Sequence, residues 1–274
     1  MKFLVTGSAG LVGTQVVKDL IDQNHVVYSG YHKTTPIHGI TTKLDLTNLD
    51  SLKIIIDKIN PDVIIHLAAL TGVDLCETEQ VLAKTINVCA TKILAQQAAK
   101  NDSFFVYVST DYVFDGNSTM KKESDTPNPL GFYGKSKLEG ELSLNDLASG
   151  WCIVRTSTPF GFHPTKKSFP IWIKENLELK KEISALTDQF TSPTYVPNLS
   201  QMIIEVAIRQ ISGIIHLAGA TRISRYDLAI LVAEKLNLDK TLLIPTKIDE
   251  MNWKAQRPKD SSLDVSLATE VLEE

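Results

Sequence analysis

Residues 6–13 read Thr6-Gly7-Ser8-Ala9-Gly10-Leu11-Val12-Gly13. A short apolar run, Lys2–Thr6, precedes them and reads as a buried strand. Residues 11–23 follow, with Val12, Val16, Leu20 and Ile21 on one helical face. Between a strand and a helix, each glycine of such a turn has its own task. Gly7 makes the tight bend, Gly10 lets a pyrophosphate approach the backbone, and Gly13 lets the helix pack closely on the strand. The free amides from Ser8 to Val12, with the helix dipole behind them, favour phosphate charge. The stretch therefore points to a doubly wound α/β fold that binds a dinucleotide.

The rest of the first half keeps the same rhythm. Strands are expected at residues 25–29, 42–46, 62–67, 104–109 and 152–155, and helices at 49–59, 80–100 and 134–147. The strands are continuous apolar runs, the pattern of a parallel sheet covered on both faces. Beyond Arg155 the prolines gather at Pro159, Pro164, Pro170, Pro193 and Pro197, and the pattern loosens. A helix at 198–209 and a strand at 213–218 still fit the sheet. The expected division is a Rossmann-type dinucleotide-binding domain over 1–155, completed by about 188–218. A smaller substrate-binding lobe takes 156–187 and 219–274.

Bulk composition narrows the function classes. The chain has 274 residues, 43% of them hydrophobic and 22% charged, as in an ordinary globular protein. Its 28 basic and 32 acidic residues form no basic stripe, which argues against a nucleic-acid partner. No run approaches the ~20 apolar residues of a membrane span. Phe3-Leu4-Val5 ends too soon at Thr6-Gly7-Ser8 to be a signal-peptide core. Cys76, Cys89 and Cys152 are scattered singly, the usage of a reducing cytoplasm rather than of a disulfide framework. No acidic cluster suggests a metal.

Two further strings carry chemistry. Tyr133 and Lys137 form a YxxxK pair, and i,i+4 spacing sets them on one helix face. An ammonium beside a phenol would stabilise the phenolate and make Tyr133 a usable proton donor at neutral pH. Lys137 could also hold the ribose hydroxyls of a nicotinamide cofactor. One crossover earlier, a strand ends in Ser109-Thr110-Asp111, at the sheet edge where ligands of open α/β folds sit. Thr110 or Ser109 can hydrogen-bond a reacting oxygen there. At the second strand's end, Ser29-Gly30-Tyr31-His32-Lys33 lacks the acid that reads a ribose 2′-hydroxyl and offers cations instead. NADPH is therefore expected over NADH. Asp45, with Leu46 beside it, stands where an adenine amino group could be met, or serves as a helix N-terminal acid.

These strings also carry a likeness. TGSAGLVG, HLAALTGVD at 66–74, STDYVFDG at 109–116 and YGKSKLEGE at 133–141 together resemble the extended short-chain dehydrogenase/reductase superfamily. STDYVFDG, with RTS at 155–157, Asp188-Gln189-Phe190 before Pro193-Thr194, and RPKDSSLD at 257–264, resembles the dTDP-4-dehydrorhamnose reductase family. The resemblance implies reduction of a 4-keto-6-deoxy sugar nucleotide, as in dTDP-L-rhamnose formation. Hydride would pass from NADPH or NADH to C4. Thr110, Tyr133 and Lys137 would form the triad and Asp111 would touch the sugar. Ala68, Ala69 and Leu70 would line the cofactor, Asn87 would hold a water for proton relay, and Arg257 would pair with the substrate diphosphate. Many members carry Trp after the RTS string, against the substrate. Here Thr158 stands there, and Trp172 or Trp253 could substitute.

The same likeness extends to sugar-nucleotide epimerases and dehydratases. It also extends to the regulatory β-subunit of methionine adenosyltransferase, a binding partner that keeps the tyrosine and lysine without turnover. It allows a homodimer.

Overall fold

The computed structural model describes residues 1–147 and 150–273. The order begins β1 (Lys2–Thr6), α1 (Leu11–Asp22), β2 (Val26–Tyr31), β3 (Ile40–Lys43), α2 (Leu49–Ile59) and β4 (Val63–His66). It continues with α3 (Val73–Thr78), α4 (Gln80–Lys84), a π-helical turn (Thr85–Cys89), α5 (Ala90–Lys100), β5 (Phe104–Thr110), α6 (Phe132–Leu142) and β6 (Trp151–Thr156). Then come β7 (Pro159–Phe160), α7 (Phe169–Glu178), β8 (Ile183–Leu186), β9 (Phe190–Thr191), β10 (Thr194–Tyr195), α8 (Val196–Arg209) and β11 (Gly213–His216). The order closes on β12 (Ile223–Ser224), α9 (Arg225–Lys235), β13 (Leu243–Thr246) and α10 (Ser266–Val271).

Seven parallel strands form the central sheet in the order β11-β6-β5-β4-β1-β2-β3. The order reverses between β1 and β4, where a Rossmann sheet opens its binding crevice at the strands' carboxyl ends. Alternation along each strand explains the continuous apolar runs. Phe3 and Val5 enter the layer that holds Val16 and Leu20 of α1 with Leu199 and Ile203 of α8. Leu4, Phe105 and Tyr107 enter the opposite layer, with Leu52 and Ile56 of α2 and Leu94 of α5. Asn60 in left-handed conformation ends α2, and Pro197 opens α8.

A second, smaller core joins Ile173 and Leu177 of α7, Ile183 and Ala185 of β8, Ala229 and Ala233 of α9, and Leu243 of β13. The parallel pair β8–β13 runs beneath those helices. Residues around α10 depart from the expected lobe. Ala268 and Leu272 pack into the main sheet's core with Phe3 and Ile215.

Three elements differ from expectation. β3 lies at Ile40–Lys43 rather than 42–46, because the Asp45 side chain makes a turn of its own. Its Oδ1 accepts from the Thr47 amide and hydroxyl at 2.9 and 2.8 Å. The helix expected over 80–100 is continuous, but a π-helical turn separates α4 from α5 within it. The extra residue of that turn carries Asn87 inwards, a register that a 3.6-residue periodicity does not reveal. The helix expected to run to 147 ends at Leu142.

Glycine fixes the seat of α6 on this layer. A Cβ on Gly140 would overlap the Tyr107 hydroxyl and lie 2.6 Å from the Asn87 carbonyl. Gly140→Ala should therefore destabilise the fold by about 1–3 kcal/mol. Urea unfolding checks this, and an unchanged midpoint would refute the tight seat.

Candidate active site

The glycine turn shows why each glycine is required. Gly7 has φ +69°, and a Cβ there would lie 2.8 Å from the Ala68 amide nitrogen. The Gly10 amide closes the turn on the Gly7 carbonyl at 2.9 Å, and a Cβ on Gly13 would overlap that same carbonyl. Ala9, Leu11 and Val12 stay partly exposed at the start of α1. Ser8 is buried against β2. Its amide and hydroxyl donate to the Gly30 carbonyl at 3.3 and 2.9 Å, tying the turn to β2.

A chain of hydrogen bonds joins β1 to β4 at the switch point. The Thr6 hydroxyl lies 2.7 Å from His66 Nδ1 and accepts from the Ala68 amide at 3.1 Å. His66 Nε2 lies 3.1 Å from the Thr91 hydroxyl, which donates to the Asn87 carbonyl at 2.9 Å. Thr91 has used its proton, so His66 Nε2 is the donor and Nδ1 the acceptor. Burial, helped by the Lys137 charge, lowers the His66 pKa to about 3 and keeps the ring neutral.

Asn87 holds two parts of the site together. Its side-chain carbonyl accepts from the Leu70 amide at 2.8 Å. Its amide donates to the Leu70 carbonyl at 3.1 Å and to the Ser136 hydroxyl at 2.9 Å. With these partners Asn87 is a clamp between the loop after β4 and α6. Ala68 and Ala69 lie on that loop, partly exposed. Just beyond β2, His32 and Lys33 are exposed, and His32 Nε2 stands 3.6 Å from Asp45 Oδ2. The Thr47 bonds hold the Asp45 carboxyl below its ordinary range. Asp45 thus forms a turn ahead of α2, whose N-cap is Asn48. Leu46 is buried beside it.

The Glu77 carboxylate seats α6 by accepting from the Phe132 amide at 2.8 Å. Gly134 lets the helix touch the Tyr112 carbonyl, where any Cβ would overlap. Tyr133 then meets the Thr110 hydroxyl, with the Tyr112 ring edge-on at 6.0 Å between centroids. Burial raises the Tyr133 pKa well above its usual value; the Thr110 hydrogen bond opposes this, and the nearby Asp111 adds to it. Lys137 is buried too, donating to the Val108 carbonyl at 2.8 Å with its ammonium 4.0 Å above the Tyr107 ring. Burial lowers its pKa to about 7, against the pull of Glu141.

The expected acidification of Tyr133 by Lys137 is therefore outweighed by burial. Desolvation dominates both groups and favours their neutral forms. Tyr133 stays protonated, as a proton donor must.

Strand alternation separates Ser109 from Thr110. Ser109 donates to Glu141, which forms a bidentate, fully buried pair with Arg155, closest approach 2.7 Å. Ser109 thus belongs to that pair, on the far face from Thr110. Asp111 also departs from its expected sugar contact. Its oxygens accept from Thr110 at 3.0 Å and Ser157 at 2.7 Å, Ser261 adds a third hydroxyl, and burial raises its pKa. It orients Thr110 from beneath.

Thr158 has φ +41°, a left-handed conformation that β-branched residues avoid, and its hydroxyl meets Thr191 and Arg225. Arg257 forms a two-pronged pair with Asp74 at 2.7 and 3.1 Å and lies 3.9 Å over the Trp253 ring. That pair, first of all its hydrogen bonds, lowers the Asp74 pKa to about 2. Trp172 stacks on Phe169 at 6.0 Å.

Sequence reasoning missed Glu77, Tyr112, Ser136, Ser157 and Arg225. Ser136 and Ser157 lie inside the strings already singled out, as does Tyr112. Glu77 and Arg225 carry no sequence signal.

A parallel sheet with this reversal, a glycine turn at its crevice and a Tyr–Lys helix beside it define an extended short-chain dehydrogenase/reductase. Residues 1–273 match the family model described as the RmlD substrate binding domain, and the chain belongs to that family. A dTDP-4-dehydrorhamnose reductase of Aggregatibacter actinomycetemcomitans is 35% identical, over 97% of this chain and 91% of its own. The crystal structure of a Bacillus anthracis dTDP-4-dehydrorhamnose reductase in complex with NADP is 30% identical, with a TM-score of 0.89 over 98% of this chain and 92% of that one. Methionine adenosyltransferase 2 subunit beta of Xenopus tropicalis is 32% identical, over 96% of this chain and 80% of its own.

The Lys137 shift has a pH signature. A base whose folded pKa lies below its unfolded value binds fewer protons when folded. Stability therefore rises with pH from about 7 towards 10.5, and is lowest below that window. Lys137→Met should lack this rise. Urea unfolding of both proteins across the window checks it, and parallel curves would contradict the burial of the amine.

Proposed function

We propose that the chain is an NADPH-dependent oxidoreductase that reduces the 4-keto group of a 6-deoxy sugar nucleotide. The reaction is that of dTDP-4-dehydrorhamnose reductases in dTDP-L-rhamnose formation. One observation carries this reading. Tyr133, kept protonated by burial, meets Thr110 at the carboxyl end of β5, in the same parallel sheet whose β1 leads into the glycine turn. The residues fit a dinucleotide, because Gly7 and Gly13 allow the tight turn and the Gly10 α-carbon faces open space apart from the Gly7 carbonyl, 3.1 Å from where a Cβ would stand, so a pyrophosphate can approach the backbone there. When bound, the nicotinamide supplies the hydride.

Tyr133 donates its proton to the oxygen of the reduced carbon, and Thr110 hydrogen-bonds that oxygen. Lys137 holds the ribose hydroxyls. Ala68, Ala69 and Leu70, clamped by Asn87, line the cofactor beside Leu11 and Val12. Gly30, His32 and Lys33 receive the adenosine end, and the lack of an acid there favours NADPH over NADH. The main sheet's domain carries the cofactor and the smaller core holds the sugar nucleotide, with Thr158 and Arg257 on the substrate's side. The chain acts in the cytoplasm as a homodimer; among the described residues no helix is long and apolar enough to cross a membrane.

A second reading rests on the likeness to the methionine adenosyltransferase β-subunit. There the chain would be a binding partner. Co-purification of an adenosyltransferase with a catalytically silent chain would favour it.

Oxidation of NADPH with dTDP-4-keto-6-deoxy-hexoses, followed by loss of reduced-nicotinamide absorbance, tests the main reading. No oxidation across a panel of such ketones would count against it. Tyr133→Phe should lower kcat by roughly 10²–10⁴-fold while the cofactor Kd stays within about twofold. Wild-type kcat in that variant would remove Tyr133 from the acid's role.

A further inference from the structure

Arginines in this chain are paired, with one exception. Arg155 meets Glu141, Arg209 meets Glu205, Arg222 meets Asp260 and Arg257 meets Asp74. Arg225 alone has no carboxylate within ion-pair reach among the described residues. Its guanidinium is partly buried, 5.0 Å from the Phe169 ring centroid, and its one side-chain hydrogen bond there goes to the Thr158 hydroxyl at 3.2 Å. The rest of its donor fork has no protein partner.

Its position is fixed from several sides. Arg225 opens α9 directly after the N-cap Ser224, and its own amide donates to the Gln189 carbonyl at 3.0 Å. Thr158 is held in its left-handed conformation by Thr191 and by the Thr194 amide, which donates to the Thr158 carbonyl at 3.2 Å. A β-branched residue keeps such a conformation only where its surroundings over-determine it. Here those surroundings aim a hydroxyl at a cation. The Arg225 charge is felt by Asp111 and Tyr112, the two residues that follow Thr110. Asp111 lies outside ion-pair reach of it, and its oxygens accept from hydroxyls instead.

We propose that Arg225, steered by Thr158, grips an oxyanion carried by the substrate: the diphosphate bridge or a carboxylate on the sugar ring. This assigns to Arg225 the anion recognition that the family likeness attached to Arg257, and it rests on the sugar-nucleotide reading above. The two arginines differ in what they would give up. Arg257 must surrender a bidentate carboxylate before it can take another oxyanion. Arg225 surrenders only a neutral hydroxyl bond, and its planar fork suits either anion.

Isothermal titration of the NADP-loaded protein with dTDP and, separately, with glucuronate reads the site directly. The wild type is expected to bind one of them. Arg225→Gln should weaken that binding by about tenfold or more, a loss of ~1.4 kcal/mol or more. Arg225→Lys should recover part of it, Thr158→Val should weaken it less, and NADP affinity should stay unchanged in each. A loss confined to dTDP assigns the subsite to the diphosphate; one confined to glucuronate assigns it to a sugar carboxylate. Equal affinities of wild type and Arg225→Gln, or no binding of either probe by the wild type, overturns the inference. If anion binding depends on Arg225 but no ketone is reduced, the reductase reading fails and the anion site stands. If Arg225→Gln turns over the ketone with an unchanged substrate KM, the anion site fails and the reductase reading stands.

Discussion

The side chain of Asn87 is the contact on which both halves of the site depend. One planar amide grips the Leu70 backbone at both its donor and its acceptor, and its remaining proton reaches Ser136 on the helix of Tyr133 and Lys137. A buried amide satisfied in this way resists rotation, since any other orientation would leave polar atoms unpaired in a low-dielectric interior. The π-helical turn is what delivers it. One extra residue in the helix shifts Asn87 out of the regular ladder and under the loop that follows β4. Gly140 completes the arrangement by letting α6 lie against the same turn.

Burial sets the chemical character of the centre more than pairing does. Tyr133 and Lys137 are both driven towards neutrality, His66 is neutral, and Asp111 is shifted upward among hydroxyls. Two turns along α6 from Tyr133, Glu141 forms a buried ion pair with Arg155. Such a pair costs desolvation to bury and adds little net stability, but losing either member would strand the other. It also keeps Ser109 turned away from the cleft, so that Thr110 alone of that dipeptide faces Tyr133.

What can be read from the sequence is what a single residue type enforces. Gly7, Gly10 and Gly13 are legible because each has a steric task that no other residue can perform. Tyr133 and Lys137 are legible because helical spacing alone brings them to one face. The parallel sheet follows from apolar runs buried on both sides. Legibility ends where a neighbour decides a side chain's role. Adjacency groups Ser109 with Thr110, although a strand sends successive residues to opposite faces. Asp111 resembles a substrate contact until Ser157 and Ser261, distant in sequence, close over it. Asn87 stands out in the sequence, but its partners lie in a loop and a helix that no local pattern connects. Arg225 leaves no trace, because a lone arginine at a helix start resembles any surface cation.

The return of α10 to the main sheet constrains motion. The polypeptide leaves the sheet after β6, comes back through α8 and β11, departs again into α9 and β13, and finally re-enters with α10 against β11, where Ala268 and Leu272 join the main core. The small lobe is therefore stitched to its base by several crossings instead of hanging from a single flexible tether. Each crossing anchors the lobe's chain in the main core, which restrains wide swinging of the lobe. A molecule of this design grips its ligand by shape set in advance, with side-chain adjustments at the rim doing what a mobile lid does elsewhere.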